Sequence, residues 1–120
     1  NNSFASMRSL HGVHEIEKHP QLVDVMNARS LWTQQITGAD VRVAIFDTGL
    51  RKNHPHFKNV AEITNWTDEP SGEDTLGHGT FVASVVAGKE PNCLGLAPDA
   101  ELAIFRVFTS GRVSYTSWFL

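Results

Sequence analysis

Val41-Arg42-Val43-Ala44-Ile45-Phe46-Asp47-Thr48-Gly49 is a short, nearly continuous apolar run that ends abruptly in a charged turn. Such a run is typical of a strand that is covered on both faces of a parallel sheet. Residues 102–108 form a second run of the same kind, and a helix of small and apolar residues between the two runs starts near Gly77 and stops at Gly88. The alternation of strand and helix predicts an α/β domain with a mainly parallel sheet and right-handed crossovers.

The flanking segments are less regular. We interpret residues 1–28 as a leader, propeptide junction or linker with a short helix near residues 21–28, and residues 29–120 as the N-terminal part of a catalytic domain. A long polar segment covers residues 51–76, in which no strand or helix is assigned. Residues 114–120 read as the first turn of an amphipathic helix, so the chain is expected to be part of a longer domain.

The composition excludes several classes of protein. Of 120 residues, 41% are hydrophobic and 19% are charged, which is typical of a folded domain. The net charge of -3 comes with no block of like charges, so nucleic acid is not an expected partner. The single cysteine, Cys93, cannot form an internal disulfide. No apolar run reaches the roughly 18 residues of a membrane helix, so any anchor is expected outside this chain.

Asp47 and His78 are the candidate catalytic residues. In a parallel α/β sheet, catalytic groups collect beyond the carboxyl ends of the strands, where Asp47 stands, and His78 opens the following helix between two glycines. A carboxylate that accepts the ring N–H of a histidine fixes its tautomer and leaves the other nitrogen free to take a proton from a hydroxyl nucleophile. Taken singly, Asp47 could be a turn residue and His78 a structural histidine.

Three ordered stretches resemble the subtilase family of serine proteases. Residues 43–49 resemble its aspartate motif, residues 78–83 its histidine motif, and residues 95–100 with the strand that follows its next landmark. The order of aspartate before histidine is also that of the family. The resemblance spans about residues 29–120 and implies the N-terminal part of a three-layer subtilisin-like domain, incomplete in this chain.

The resemblance also assigns roles. It implies that Asp47 orients His78, and that His78 is the general base toward a serine nucleophile. No serine of this chain stands in the family's Gly-Thr-Ser context, and the asparagine that stabilises the oxyanion in the family lies beyond residue 120. The chain alone is therefore expected to be inactive.

Further stretches resemble one branch of the family, although Phe81 stands where most members have a second histidine and Ser84 where a glycine is usual. That branch consists of endoproteases anchored in the membranes of the endoplasmic reticulum and Golgi, with a lumenal catalytic domain. The resemblance implies protein substrates, including membrane-bound transcription factor precursors and proproteins, cut after an arginine-plus-hydrophobic motif. Calcium dependence is a family trait whose ligands are unknown. The alternatives are another secreted subtilase or a truncated, non-catalytic copy.

The sequence also contains several weaker motifs. Asn65-Trp66-Thr67 is an N-glycosylation acceptor that fits a lumenal protein. The pattern His54-Pro55-His56 lacks the partners of a zinc site and favours structural or surface roles, so no metal ligand is assigned. Four acidic residues could offer oxygen ligands to calcium, but such a loop is usually only solvated. They are Asp68, Glu69, Glu73 and Asp74. Residues 8–11 resemble a self-cleavage site.

Overall fold

The computed structural model describes residues 20–120. Two short helices come first, followed by alternating strands and one longer helix. In chain order the elements are α1 (Leu22–Val25), α2 (Ala28–Trp32), β1 (Arg42–Asp47), β2 (Val60–Asn65), α3 (His78–Ala87), β3 (Lys89–Glu90), β4 (Cys93–Leu94), β5 (Glu101–Arg106) and a 3₁₀ turn (Thr116–Trp118).

The main sheet has three parallel strands in the order β1-β5-β2. The central strand, β5, pairs in register with β1 from Arg42 opposite Glu101 to Asp47 opposite Arg106. All three strands therefore end at the same edge of the sheet. The α/β class and the mainly parallel sheet predicted from the sequence are confirmed.

The core lies between this sheet and α3. Ile45, Leu102 and Ile104 point toward the helix, which meets them with small side chains such as Ala83 and Ala87. Small residues on α3 allow its backbone to approach the sheet closely, which brings its first residue near the end of β1. The packing of α3 thus determines where His78 lies.

The other face of the sheet is only partly covered within residues 20–120, as expected of the N-terminal part of a domain whose strands are covered on both faces when it is complete. Phe46 is 48% exposed on this face. Its ring stacks on Phe105, with centroids 4.8 Å apart, and on Phe119, 6.1 Å away. Phe46 and Phe119 are exposed and Phe105 is partly buried, and the three rings form an aromatic row on this face.

The predicted helix at residues 21–28 is wrong in its extent. It covers only Leu22–Val25, and a second short helix begins at Ala28, because Asn27 between them adopts a left-handed conformation with φ of 54°. Trp32 fixes the second helix to the domain, since its indole N–H donates to the carbonyl of Leu96 at 3.1 Å. The terminal helical turn is a 3₁₀ turn at Thr116–Trp118.

The polar segment at residues 51–76 contains β2, a strand that was not predicted from the sequence. A register shift between Val60 and Glu62 interrupts the alternation of side chains in this edge strand, which hides its pattern in the sequence. The loop before β5 likewise contains a two-residue hairpin, β3 with β4. No helix within the described residues has the length and apolar character needed to cross a bilayer.

Candidate active site

Asp47 is the last residue of β1. Its carbonyl accepts the backbone N–H of Val107 at 2.9 Å, and its Oδ1 accepts the backbone N–H of Thr48 at 2.7 Å. The side chain is only 12% exposed. These contacts hold the carboxylate in one orientation at the carboxyl edge of the sheet.

His78 is the first residue of α3. Its Nδ1 lies 2.8 Å from Oδ1 and 2.9 Å from Oδ2 of Asp47. Because a carboxylate can only accept, Nδ1 carries the hydrogen in this contact, and Nε2 of a neutral ring is then an acceptor. The side chain is 68% exposed and Nε2 forms no hydrogen bond within residues 20–120. The pair therefore presents a free basic nitrogen to solvent.

Gly79 permits this close approach. A Cβ at Gly79 would lie 2.2 Å from the carbonyl oxygen of Gly49 and 3.2 Å from Oδ1 of Asp47. Gly49 itself has φ of 105°, which an L side chain rarely adopts. Gly49 and Gly79 are thus required because the turn after β1, residues 48–49, is in backbone contact with the start of α3.

A cleft of about 440 Å³ opens beside the pair. Its lining combines polar and charged side chains with apolar surface, as expected of a site that binds a ligand. The lining residues are Asp47, Thr48, Leu76, His78, Phe108 and Arg112. A larger cavity of about 700 Å³ lies near the opposite end of β1, around Arg42 and Lys58, and includes neither Asp47 nor His78.

Asp74 is buried next to the site, with 1% exposure. Burial raises the pKa of its carboxyl, but hydrogen bonds from Thr80, Gly77 and Thr48 outweigh burial and hold that pKa below its ordinary value. The carboxylate is therefore ionised at neutral pH. The sequence suggested Asp74 only as a possible calcium ligand, although its position three residues before the glycine at the N-cap of α3 could have indicated a capping role.

The other acidic residues of this loop do not gather around a cation. Glu69 pairs with the guanidinium of Arg106 and accepts the backbone N–H of Ser110 at 2.9 Å. Arg106 is buried and also donates to the carbonyls of Ser71 and Glu73. Residues 20–120 contain no group of three or more His, Cys, Asp or Glu side chains placed to hold a metal ion. The two acidic side chains described here, Glu69 and Asp74, are thus engaged with protein groups.

Of the two histidines before β2, His54 and His56, the second contacts the segment that follows α3. Nδ1 of His56 accepts the backbone N–H of Glu90 at 3.2 Å, and its ring contacts Gly88 so closely that a Cβ there would lie 2.3 Å from Nε2. Burial lowers the pKa of His56, with a further contribution from His54, while Glu90 opposes both. His56 thus joins the β2 region to the hairpin.

Asn65, the glycosylation candidate, is partly buried at the end of β2. Its Oδ1 accepts both the backbone N–H and the hydroxyl of Thr67, and its Nδ2 donates to the carbonyl of Glu69 at 2.5 Å. An amide nitrogen has two hydrogens, so this bond leaves one position for a glycan.

The serines of the described region do not contact the candidate base. The hydroxyl of Ser84 donates to the carbonyl of Phe81 within α3, and that of Ser114 donates to Val107. No serine in residues 20–120 forms a hydrogen bond with His78. The possible self-cleavage site at residues 8–11 lies outside the described residues.

The chain is similar to known proteases over most of its length. The peptidase S8 profile, which describes the subtilase family, matches residues 38–118. This chain is 54% identical to a subtilisin-like protease of Arabidopsis thaliana over 107 residues, or 89% of its length. It is 62% identical to the human membrane-bound transcription factor site-1 protease over 100 residues, or 83% of its length. A major intracellular serine protease of Bacillus subtilis is 34% identical over 103 residues, which cover 79% of this chain and 32% of that protein.

The matched part covers 10% of the plant protein and 9% of the human protein. The similarity includes β1, α3 and β5, which place Asp47 beside His78, and the profile match extends over more than half of the chain. The chain therefore belongs to the subtilase family.

Proposed function

We propose that this chain supplies the aspartate and histidine of an Asp-His-Ser triad in a serine endopeptidase. The observation that supports the proposal is the contact between Nδ1 of His78 and the carboxylate of Asp47, which leaves Nε2 exposed in the cleft. The serine comes from a part of the full protein outside this chain.

His78 acts as the general base of the proposed reaction. Its Nε2 takes the proton of the serine hydroxyl as the oxygen attacks the carbonyl carbon of the scissile peptide bond. The resulting imidazolium is stabilised by the nearby carboxylate of Asp47, and His78 then returns the proton to the leaving amine. In the second half of the reaction, water attacks the acyl-enzyme while His78 takes a proton from the water, and His78 then donates that proton to the serine oxygen as it leaves.

For the substrates, we propose proteins cut after a motif with an arginine followed by a hydrophobic residue, including membrane-bound precursors and proproteins. The 62% identity to a protein named membrane-bound transcription factor site-1 protease supports this class. The same identity supports a location in the endoplasmic reticulum and Golgi, with the catalytic domain in the lumen and a membrane helix in another part of the protein. The acceptor sequence at Asn65 agrees with a lumenal location.

Calcium dependence remains a proposal for the whole enzyme. Two of the four acidic residues considered for calcium, Glu69 and Asp74, accept hydrogen bonds from protein groups with their carboxylates.

The full-length protein tests the proposed function. We expect it to cleave a peptide that contains arginine and a hydrophobic residue before the cut, and to cleave the matched peptide with alanine in place of arginine at least tenfold more slowly. His78→Ala is the control, because it removes the proton acceptor. Cleavage that persists in His78→Ala would show that the triad is misassigned, and equal cleavage of both peptides would reject the arginine motif.

The full coding sequence provides a second test. A downstream Gly-Thr-Ser motif together with a membrane helix is expected. A Gly-Thr-Ser motif without such a helix would favour another secreted subtilase, and the absence of both would favour a non-catalytic copy.

A further inference from the structure

We infer that Asp74 is a positioning residue that holds Asp47 and His78 at the distance required for proton transfer. The inference rests on the proposed protease function and concerns a residue that contacts neither member of the pair directly. It follows from five hydrogen bonds that converge on one buried carboxylate, from both sides of the site.

Oδ1 of Asp74 binds the segment that follows the candidate aspartate. It accepts the hydroxyl of Thr48, the residue next to Asp47, at 2.8 Å. The same hydroxyl oxygen accepts the backbone N–H of Gly79 at 2.9 Å. Thr48 therefore connects Asp74, the turn after β1 and the first turn of α3, while its own backbone N–H binds the carboxylate of Asp47.

The remaining bonds fix the start of the helix that carries the histidine. Oδ1 also accepts the backbone N–H groups of Leu76 and Gly77, at 3.1 and 2.8 Å. Oδ2 accepts both the backbone N–H and the hydroxyl of Thr80, at 2.8 and 2.6 Å. The N-cap residue of α3 is Gly77, which has no side chain to accept the free N–H groups at the start of the helix. Asp74 accepts hydrogen bonds from these groups instead.

The chemistry of this position requires a carboxylate. All five donors point at its two oxygens, and no cationic side chain in residues 20–120 forms a salt bridge with it. An asparagine offers one acceptor oxygen and an NH₂ group that would face either the donors of Thr80 or those around Thr48. Asp74→Asn therefore breaks the connection on one side while leaving a side chain of nearly the same shape.

A small displacement is sufficient to affect catalysis. Mispositioning a catalytic group by about 1 Å can lower turnover by about 10²-fold. The start of α3 carries His78 and the β1 turn carries Asp47, so loss of the Asp74 bonds allows the two to move apart. We expect kcat to fall about 10- to 100-fold in Asp74→Asn, with KM changed less than about twofold, because substrate-binding surfaces remain.

The experiment compares full-length proteins whose active sites are counted by titration with a fluorophosphonate that labels the serine. Counting active sites separates lost catalysis from lost folded protein. Leu102→Ala controls for stability, because it creates a cavity at the opposite end of the sheet and should lower the melting temperature without lowering kcat per site. The acidic limb of the pH profile of kcat/KM is expected to move to lower pH in Asp74→Asn only, because the protonated imidazole is less well stabilised by Asp47.

A second pair of variants decides the question if Asp74→Asn yields no labelled sites. Thr80→Val removes one donor to Oδ2, and Thr80→Ser restores it. We expect a loss of about 3- to 10-fold in kcat in the first variant and recovery in the second. Unchanged kcat per site in Asp74→Asn would overturn the inference while the parent enzyme remains active, and so would unchanged kcat per site in Thr80→Val if Asp74→Asn yields no labelled sites. A parent protein without His78-dependent cleavage would instead refute the proposed function, and the inference with it.

Discussion

The carboxylate of Asp47 contacts Nδ1 of His78 with both oxygens, at 2.8 and 2.9 Å. In Asp47→Asn, an amide NH₂ group turned toward Nδ1 would favour the tautomer that carries its hydrogen on Nε2, which cannot accept a proton. If the proposed mechanism holds, the turnover of the full-length protein should fall by about four orders of magnitude. Peptide hydrolysis measures the change, and circular dichroism checks that the fold is kept. Activity within tenfold of the parent would remove Asp47 from the triad.

Gly79→Ala should separate the two candidate catalytic residues. The new Cβ would lie 2.2 Å from the carbonyl oxygen of Gly49, so the β1 turn and α3 must move apart. We expect at least a hundredfold loss of kcat/KM, together with a lower melting temperature.

Gly111→Ala is the matched control for this substitution. Its Cβ would meet only the hydroxyl of Thr109, at 3.7 Å, which is an ordinary contact. If Gly79→Ala is as active as Gly111→Ala, the close approach of the two backbones does not hold the site.

His56 is expected to make stability depend on pH. Its pKa lies below the ordinary value of 6.5 in the folded protein, chiefly because it is buried, so the unfolded chain binds a proton where the folded chain does not. The free energy of unfolding should therefore decrease as the pH falls below about 6.5, until the folded pKa is reached. Denaturant unfolding between pH 7.5 and 5 measures this dependence.

The variant His56→Asn tests the source of that dependence. Asparagine places an oxygen near the position of Nδ1, so it can still accept the N–H of Glu90, but it does not titrate. The variant should be less stable at every pH and should show a flatter dependence. An unchanged dependence would assign it to other groups.

Asn65→Gln tests the proposed lumenal location. Expressed in a glycosylating cell, the full-length variant should migrate faster on a gel than the parent, and glycosidase treatment should abolish the difference. Equal mobility before treatment would argue against modification at Asn65 and would leave the protease proposal unaffected.

Much of the fold could be predicted because local patterns were strong. The strands β1 and β5 are apolar runs with sharp ends, and α3 is bounded by Gly77 and Gly88. Strand β2 was not predicted because it is half exposed and its register shifts between Val60 and Glu62. Its sequence therefore lacks the alternation of apolar and polar residues that is typical of a strand.

Only part of the candidate site could be predicted from the sequence. The juxtaposition of Asp47 and His78 follows from their places at a strand end and a helix start, which meet at one edge of the sheet. The contributions of Asp74 and Arg106 depend on loops that fold back from about 30 residues away in sequence, as in the bond between Thr48 and Asp74. Charge alone could not distinguish a buried, hydrogen-bonded carboxylate from a solvated one.

The strand order β1-β5-β2 has a consequence for synthesis on the ribosome. Among residues 20–120, neither β1 nor β2 has a partner in the main sheet until β5 emerges, and β5 begins 54 residues after the end of β1 at Asp47. At about 5 to 20 residues per second, the apolar strand β1 would wait roughly 3 to 11 s without a neighbour. A nascent chain with this topology offers an unpaired hydrophobic strand to molecular chaperones during that interval. Pulse-labelled nascent chains stalled before residue 101 should therefore be captured by chaperones more strongly than chains stalled well after residue 106.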